Sequence, residues 1–202
     1  MTPELVERAT KERPIIFSAP MVRAILGGRK TQTRRVLSPQ PHAGARWNQI
    51  VMDEYGGWTD GHGNPLRRTY GQPGDRLWVR ETWRTYGDRS LSECVGARDI
   101  QFAASSDEAA LAIFKWRSPI HMPRWAARIT LQIVAVRIER LQAISEADAI
   151  AEGCPPVSLH SLDCASTPPS EHFRNLWREI HGPGTWDANP WVWVIEFKRV
   201  ST

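Results

Sequence analysis

Cysteine is scarce in this 202-residue chain, which has three, Cys94, Cys154 and Cys164. So sparse and odd a count argues against a disulfide framework and suits a reducing compartment. No apolar run approaches the roughly 20 residues that a membrane span needs. The opening MTPELVERATKERP is polar and charged, without the apolar stretch of a secretory signal. The expectation is a cytoplasmic protein with no membrane partner. A large excess of one charge is also missing, since 26 Lys+Arg stand against 22 Asp+Glu for a net +4. That mild basicity fits nucleic acid and ordinary solubility equally well, so composition does not choose between them. Internal repeats are absent, as are a Walker-type glycine loop and a G-x-S-x-G elbow. Cys154, His160, Cys164 and His172 lack any close C-x-x-C pair, so no metal is expected, and nothing calls for a cofactor.

Tryptophan, by contrast, is abundant, with ten residues. It stacks on bases but also fills cores and seals loops. The length suits one domain: a polar lead-in over 1–13, then a domain over 14–202 with insertions at about 38–73 and 84–124, both irregular and the first rich in Pro and Gly. Ile15 to Phe17 reads as a short strand. Ser18 as N-cap and Pro20 in the first turn open a helix through Leu26, which Gly27 and Gly28 stop. Pro73-Gly74-Asp75 is a turn, and strand character follows from Arg76 to Trp83. Glu81 faces either a core-side arginine or a cleft. A helix is expected around Asp107–Phe114.

Ala127 to Arg140 reads as a long strand. Ile129, Leu131 and Ile133 lie on one face and Val134, Val136 and Ile138 on the other, a shift that a bulge in a curved strand produces. Ser145 to Asp148 has the pattern of a capping box, opening a short helix that ends at Glu152-Gly153. Phe173, Leu176, Trp177 and Ile180 recur at helical spacing. Trp186 to Pro190 is a tight turn with Asp187 and Asn189 as local hydrogen-bonders, and Trp191 to Val200 is a closing strand. The pattern gives an α+β fold, with a small barrel expected.

The sharpest charge asymmetry lies between Met21 and Leu37, with Arg23, Arg29, Lys30, Arg34 and Arg35 and no acidic residue. There the segment Gly28-Arg29-Lys30-Thr31-Gln32-Thr33-Arg34-Arg35, following a short helix, resembles the signature of the ASCH family. Gly74 to Val79, the helix Ser145 to Gly153 and the terminal Val194 to Lys198 appear in that family's order. The remainder, including Ile120 to Trp125, resembles longer ASCH proteins often encoded by phages and prophages.

The resemblance implies a PUA-like small β-barrel with short flanking helices, long loop insertions and a cleft beside the first helix. One small bacterial member type hydrolyses N4-acetylcytidine to cytidine and acetate. Others are thought to bind RNA, and ribonuclease activity has been attributed to some. Carried over by motif, the catalytic Lys and Thr of the amidohydrolase fall on Lys30 and Thr33. Its Glu falls on Glu152 when the helix is aligned without gaps through Leu141, Ile144 and Glu146.

Hydrolysis of an N-acylated cytosine needs a nucleophile, a base and a place for an oxyanion. Thr33 would be the nucleophile and Lys30 the base, its ammonium form disfavoured by Arg29, Arg34 and Arg35 and by partial burial. Glu152 would shuttle the proton. A carboxylate in a helix's last turn opposes the helix dipole, a mild hint of function. Arg23, Arg29, Arg34 and Arg35, with Arg124 and Trp125 at the cleft mouth, would hold a modified nucleoside or an RNA strand. The alternatives are a non-catalytic RNA-binding module and a ribonuclease using the same basic cleft. The sequence leaves the oligomeric state open.

Overall fold

The computed structural model describes residues 9–41, 51–52, 58–59, 65–66, 70–88, 90–94, 96–156 and 167–200. Its frame is a five-stranded sheet made of β1 (Glu12–Ile16), β2 (Gln32–Val36), β6 (Arg76–Arg80), β9 (Thr130–Arg140) and β10 (Trp191–Val200). The strand order is β1-β6-β9-β10-β2, with β1 parallel to β6 and the other pairs antiparallel. Two small sheets accompany it. One is β3 (Val51–Met52), β4 (Trp58–Thr59) and β5 (Pro65–Leu66), and the other is β7 (Trp83–Thr85) with β8 (Ile100–Phe102). The fold is therefore α+β. Among the described residues the main sheet is open, with β1 and β2 as its edges. Arg35 reaches across from β2 and donates from Nη2 to the Ile16 carbonyl at the end of β1, at 2.7 Å.

Strand β9 carries a bulge where the parity changes. Glu196 pairs with Ala135 and Phe197 with Ile133, so Val134 is skipped. The extra residue corrects the two-face reading: Ile129, Leu131 and Ile133 pack in the same core as Val136 and Ile138. Val134 alone turns out to solvent. The bulge thus keeps an apolar strand facing one core through a change of phase.

Among the described residues four α-helices flank the sheet: α1 (Ala19–Leu26), α2 (Glu108–Ile113), α3 (Glu146–Ala151) and α4 (Pro169–His181). Ser18 precedes α1 as expected but makes no side-chain cap bond, and Gly28 takes the left-handed conformation at φ 71°. α3 opens with the expected capping box, Ser145 accepting from the Asp148 amide while Asp148 accepts from the Ser145 amide. Phe173 and Trp177 of α4 pack with Leu141, Ala149, Val192 and Val194 in a second core.

Other boundaries move. The first strand begins at Glu12, inside the polar lead-in; as an edge strand with one neighbour, it tolerates polar side chains facing water. The insertion at 38–73 holds the β3–β5 sheet, whose Trp58 meets Trp193 edge-on at 5.8 Å. The insertion at 84–124 contributes a small core of its own around Trp83, Phe102 and Met122. Asp75 accepts from the Lys11 and Gln72 amides and pairs with Arg13. Glu81 turns inward to Arg128, with both carboxylate oxygens held, at 2.9 and 2.8 Å. Among the described residues no helix is long and apolar enough to cross a membrane.

Candidate functional site

The signature segment runs from the end of α1 into β2, and its backbone is pinned on both sides. The amides of Arg29 and Lys30 bond to the Ala24 carbonyl, and the Thr31 amide bonds to the Ala151 carbonyl at the end of α3. Gly153 follows α3 at φ 100°, a conformation that favours glycine. A Cβ there would meet the Ala24 Cβ at 3.1 Å and the Lys30 Cβ at 3.3 Å. Both the left-handed turn and this close approach require glycine. They bring Glu152 against Lys30 across 122 residues of sequence.

The result is a buried ion pair. Lys30 Nζ donates to Glu152 Oε2 at 2.7 Å and to the Glu152 main-chain carbonyl at 2.7 Å. The Lys30 side chain is 0% exposed and that of Glu152 is 4%. Burial pushes the Lys30 ammonium below the ordinary lysine range; the Glu152 carboxylate opposes that shift and the charge of Arg35 adds to it. The direction matches the sequence reading, but the leading cause does not. Desolvation outweighs the arginine cluster, because Arg34 is engaged elsewhere and Arg29 is exposed.

Arg34 is the hub behind the pair. Its side chain is 0% exposed and faces three carboxylates: Glu152 Oε1 at 3.3 Å, Glu139 Oε2 at 3.2 Å and Asp148 Oδ2 at 3.2 Å. The Phe173 ring lies 5.8 Å from its guanidinium. Arg137 ties Glu139, Asp148 and Glu196 together on the outer side. Burial would raise the Asp148 carboxyl, but the Ser145 cap and the Arg34 charge outweigh it and hold the group below its usual value. The carboxylate that a helix C-terminus disfavours is thus compensated by two cations from β2 and the turn before it.

A cleft opens beside the pair, between α1, α4 and the start of β2. Its larger lobe, about 420 Å³, is lined by Pro20, Met21, Ala24, Cys154, His172 and Glu152 among others. Its smaller lobe, about 30 Å³, is lined by Thr33, Arg34, Arg35, Trp177 and His181. Met21, Glu152, Leu176 and Ile180 belong to both, so the Glu152 carboxylate lies on the wall between them. The Thr33 hydroxyl has no hydrogen-bond partner among the described residues, while Lys30 lies behind Glu152. Next to the pair, burial and the Glu152 charge push the Cys154 thiol up to about 11.

Thr33, Arg34, Arg35 and Glu152 therefore line one lobe, with Lys30 against Glu152 behind it. The other expected residues do not join them. Arg23 and Arg29 are exposed. Arg124 pairs with Glu12 of β1, and Trp125 beside it is 46% exposed; neither lines the lobes. Cys154 and His172 both line the large lobe, whereas His160 and Cys164 lie outside the described residues. No metal-binding cluster occurs among the described residues. Sequence reasoning missed His181, which stacks on Trp177 with ring centroids 3.9 Å apart. It also missed that Leu176 and Ile180, members of the apolar stripe, line the cleft, because their spacing is that of any stripe facing a core.

No family model matches the chain, and no curated protein matches it. Among solved structures, it resembles protein EF3133 from Enterococcus faecalis V583, described as DUF984, at TM-score 0.40 and 12% identity over 96% of this chain and 82% of that one. A likeness at that level leaves the functional reading to the chemistry of the cleft.

Proposed function

We propose that this protein hydrolyses the amide of an N4-acylated cytosine nucleoside, on a PUA-like frame of the ASCH type, with Lys30, Thr33 and Glu152 as its catalytic residues. The observation that carries the reading is the pairing of Lys30 with Glu152. An ungapped motif match singled out Glu152, and its carboxylate lies 2.7 Å from the Lys30 amine beside a lobe lined by Thr33.

The chemistry follows from the burial. A lysine whose ammonium is destabilised gives up its proton more readily, and Glu152 is placed to take it along the existing hydrogen bond. As Thr33 Oγ attacks the acyl carbon its proton passes to Glu152, which lines the same lobe and returns a proton to the neutral amine, and the carbonyl electron pair moves onto oxygen. Collapse breaks the C–N bond, and the leaving N4 amine takes its proton from the Lys30–Glu152 pair. Water then gives a proton to Glu152 as its oxygen attacks the Thr33 ester, the Oγ–carbon bond breaks, and that proton returns to Thr33 Oγ as the carboxylic acid leaves. The large lobe falls within the 300–1,000 Å³ span of small-molecule sites, enough for a nucleoside.

An RNA track along the arginines has less support. Arg34 is used up by three carboxylates and Arg124 by Glu12, and Arg23 and Arg29 line neither lobe. Incubation of N4-acetylcytidine with the purified protein, followed by chromatography, tests the proposal. Cytidine should appear with the wild type and not with a folded Lys30→Ala variant. Intact substrate with folded wild type counts against this substrate, and equal conversion by the variant counts against the role of Lys30.

A further inference from the structure

The small lobe contains a cation whose work in the fold explains only part of its hydrogen-bonding capacity. Arg35 and Thr33 are two residues apart on β2, so they share a face of the strand, and both line the lobe. The Arg35 guanidinium is fixed twice, by its 2.7 Å bond from Nη2 to the Ile16 carbonyl and by the Phe17 ring 5.4 Å away. Its Nε is buried without a hydrogen-bond partner, and Nη1 has none among the described residues. A fixed guanidinium with Nη1 to spare, beside a hydroxyl with no partner among the described residues, is an arrangement that recognises a carboxylate or an oxyanion.

Charge supports the same ligand. Arg34 is spent on Glu139, Asp148 and Glu152, and Lys30 neutralises Glu152 from behind, so Arg35 is left as a lobe-lining cation with no carboxylate partner among the described residues. Size limits it: about 30 Å³ accommodates a group of a few heavy atoms rather than a ring. His181 closes the α4 side, held by its stacking on Trp177 and by a 3.2 Å contact from Nδ1 to the Trp177 carbonyl.

We infer that the small lobe is an acyl pocket for short carboxylates, in which Arg35 holds the carbonyl oxygen as it becomes an oxyanion. The inference rests on the hydrolase reading for its catalytic half, while the binding half stands on the lobe alone. In the reaction, the electron pair displaced when the Thr33 Oγ–carbon bond forms rests on an oxygen facing Arg35. It returns to carbon as the C–N bond breaks, so Arg35 donates hydrogen bonds throughout and exchanges no proton.

The test has two arms that use Arg35→Gln, with Arg35→Lys as the conservative control. In the first, sodium acetate is titrated into wild-type protein while the His181 ring protons are followed by NMR, assigned through their loss in His181→Gln. Acetate should shift the His181 signals in the wild type, less in Arg35→Lys, and not in Arg35→Gln. Without acetate, the His181 midpoint should rise in Arg35→Gln, because the Arg35 charge helps to hold it below the ordinary histidine value once burial has lowered it. In the second arm, N4-acetylcytidine turnover should lose about a hundredfold or more in kcat in Arg35→Gln, with KM within about threefold, and recover partly in Arg35→Lys.

A wild type that ignores acetate, or an Arg35→Gln variant that binds it unchanged, overturns the pocket. A rise in KM with kcat kept overturns the oxyanion role and makes Arg35 a simple binding group. Acetate binding that depends on Arg35, in a protein that leaves N4-acetylcytidine intact, upholds the pocket and sinks the hydrolase reading instead.

Discussion

Replacing Lys30 with methionine keeps the side chain's bulk and removes one charge from a site that water does not reach. Glu152 is then left 4% exposed with Arg34 at 3.3 Å as its only cation among the described residues, and two other carboxylates already share that arginine. Removing one partner of a buried pair costs about 3–5 kcal/mol, because the other charge stays desolvated. Arg34 puts the expectation at the lower end, about 3 kcal/mol, or a fall in Tm of roughly 6–12 °C for a chain of this length. The double variant Lys30→Met/Glu152→Leu removes the stranded charge as well. It should regain most of that loss, since apolar replacement of a whole buried pair is often neutral. Urea unfolding of the wild type, both single variants and the double variant gives the coupling directly. The pH dependence has a definite sign. Lys30 holds its proton less tightly when folded than when unfolded, so the unfolded chain binds more protons over the interval between the two values. Its cost to stability is full below the folded value and is relieved as pH rises toward the ordinary value of 10.5. The slope of stability against pH there should be more positive in the wild type than in Lys30→Met. The reasoning is refuted if Lys30→Met unfolds within about 0.5 kcal/mol of the wild type, or if the double variant is worse than the two singles added.

Gly153→Ala combines a left-handed backbone with a contact near 3 Å to Ala24 and Lys30, so it should destabilise by roughly 1–3 kcal/mol and lower turnover in chromatographic assays. Ser145→Ala removes the acceptor that caps α3 and should cost about 1 kcal/mol in urea unfolding. At pH 8 the Cys154 thiol, pushed up to about 11, should react with iodoacetamide far more slowly than the partly exposed Cys94, as read by peptide mass mapping. His181 is held below the ordinary histidine value chiefly by burial, so the unfolded chain takes its proton first as pH falls. Stability should therefore drop below about pH 6.5, and His181→Gln should flatten that limb of the profile.

Much of the frame could be read from local pattern because its causes are local. The parity switch at Ile133 and Val134 marks the bulge, Ser145 and Asp148 mark the start of α3, and the apolar run from Trp191 marks the final strand. The start of β1 at Glu12 was hidden because an edge strand with one neighbour needs little apolar surface. The site divides in the same way. Lys30 and Thr33 are adjacent in the motif, but the fate of Arg34 depended on acids 105 and 118 residues away. A run of basic residues looks like a solvated or ligand-binding face until those partners are known. Arg34 was accordingly read as a nucleotide contact, whereas the fold spends its charge on Glu139, Asp148 and Glu152. The aromatic wall formed by Trp177 and His181 left no signal beyond helical spacing, because spacing does not separate a residue facing a core from one facing a cleft.

Release of cytidine from N4-acetylcytidine by Thr33→Val and Glu152→Gln, each shown to be folded by its urea transition, tests the central claim most directly. Turnover in the wild type with losses of at least about a hundredfold in both variants is the predicted result. Wild-type turnover that persists in either folded variant would contradict the assignment of nucleophile and proton shuttle to this cleft.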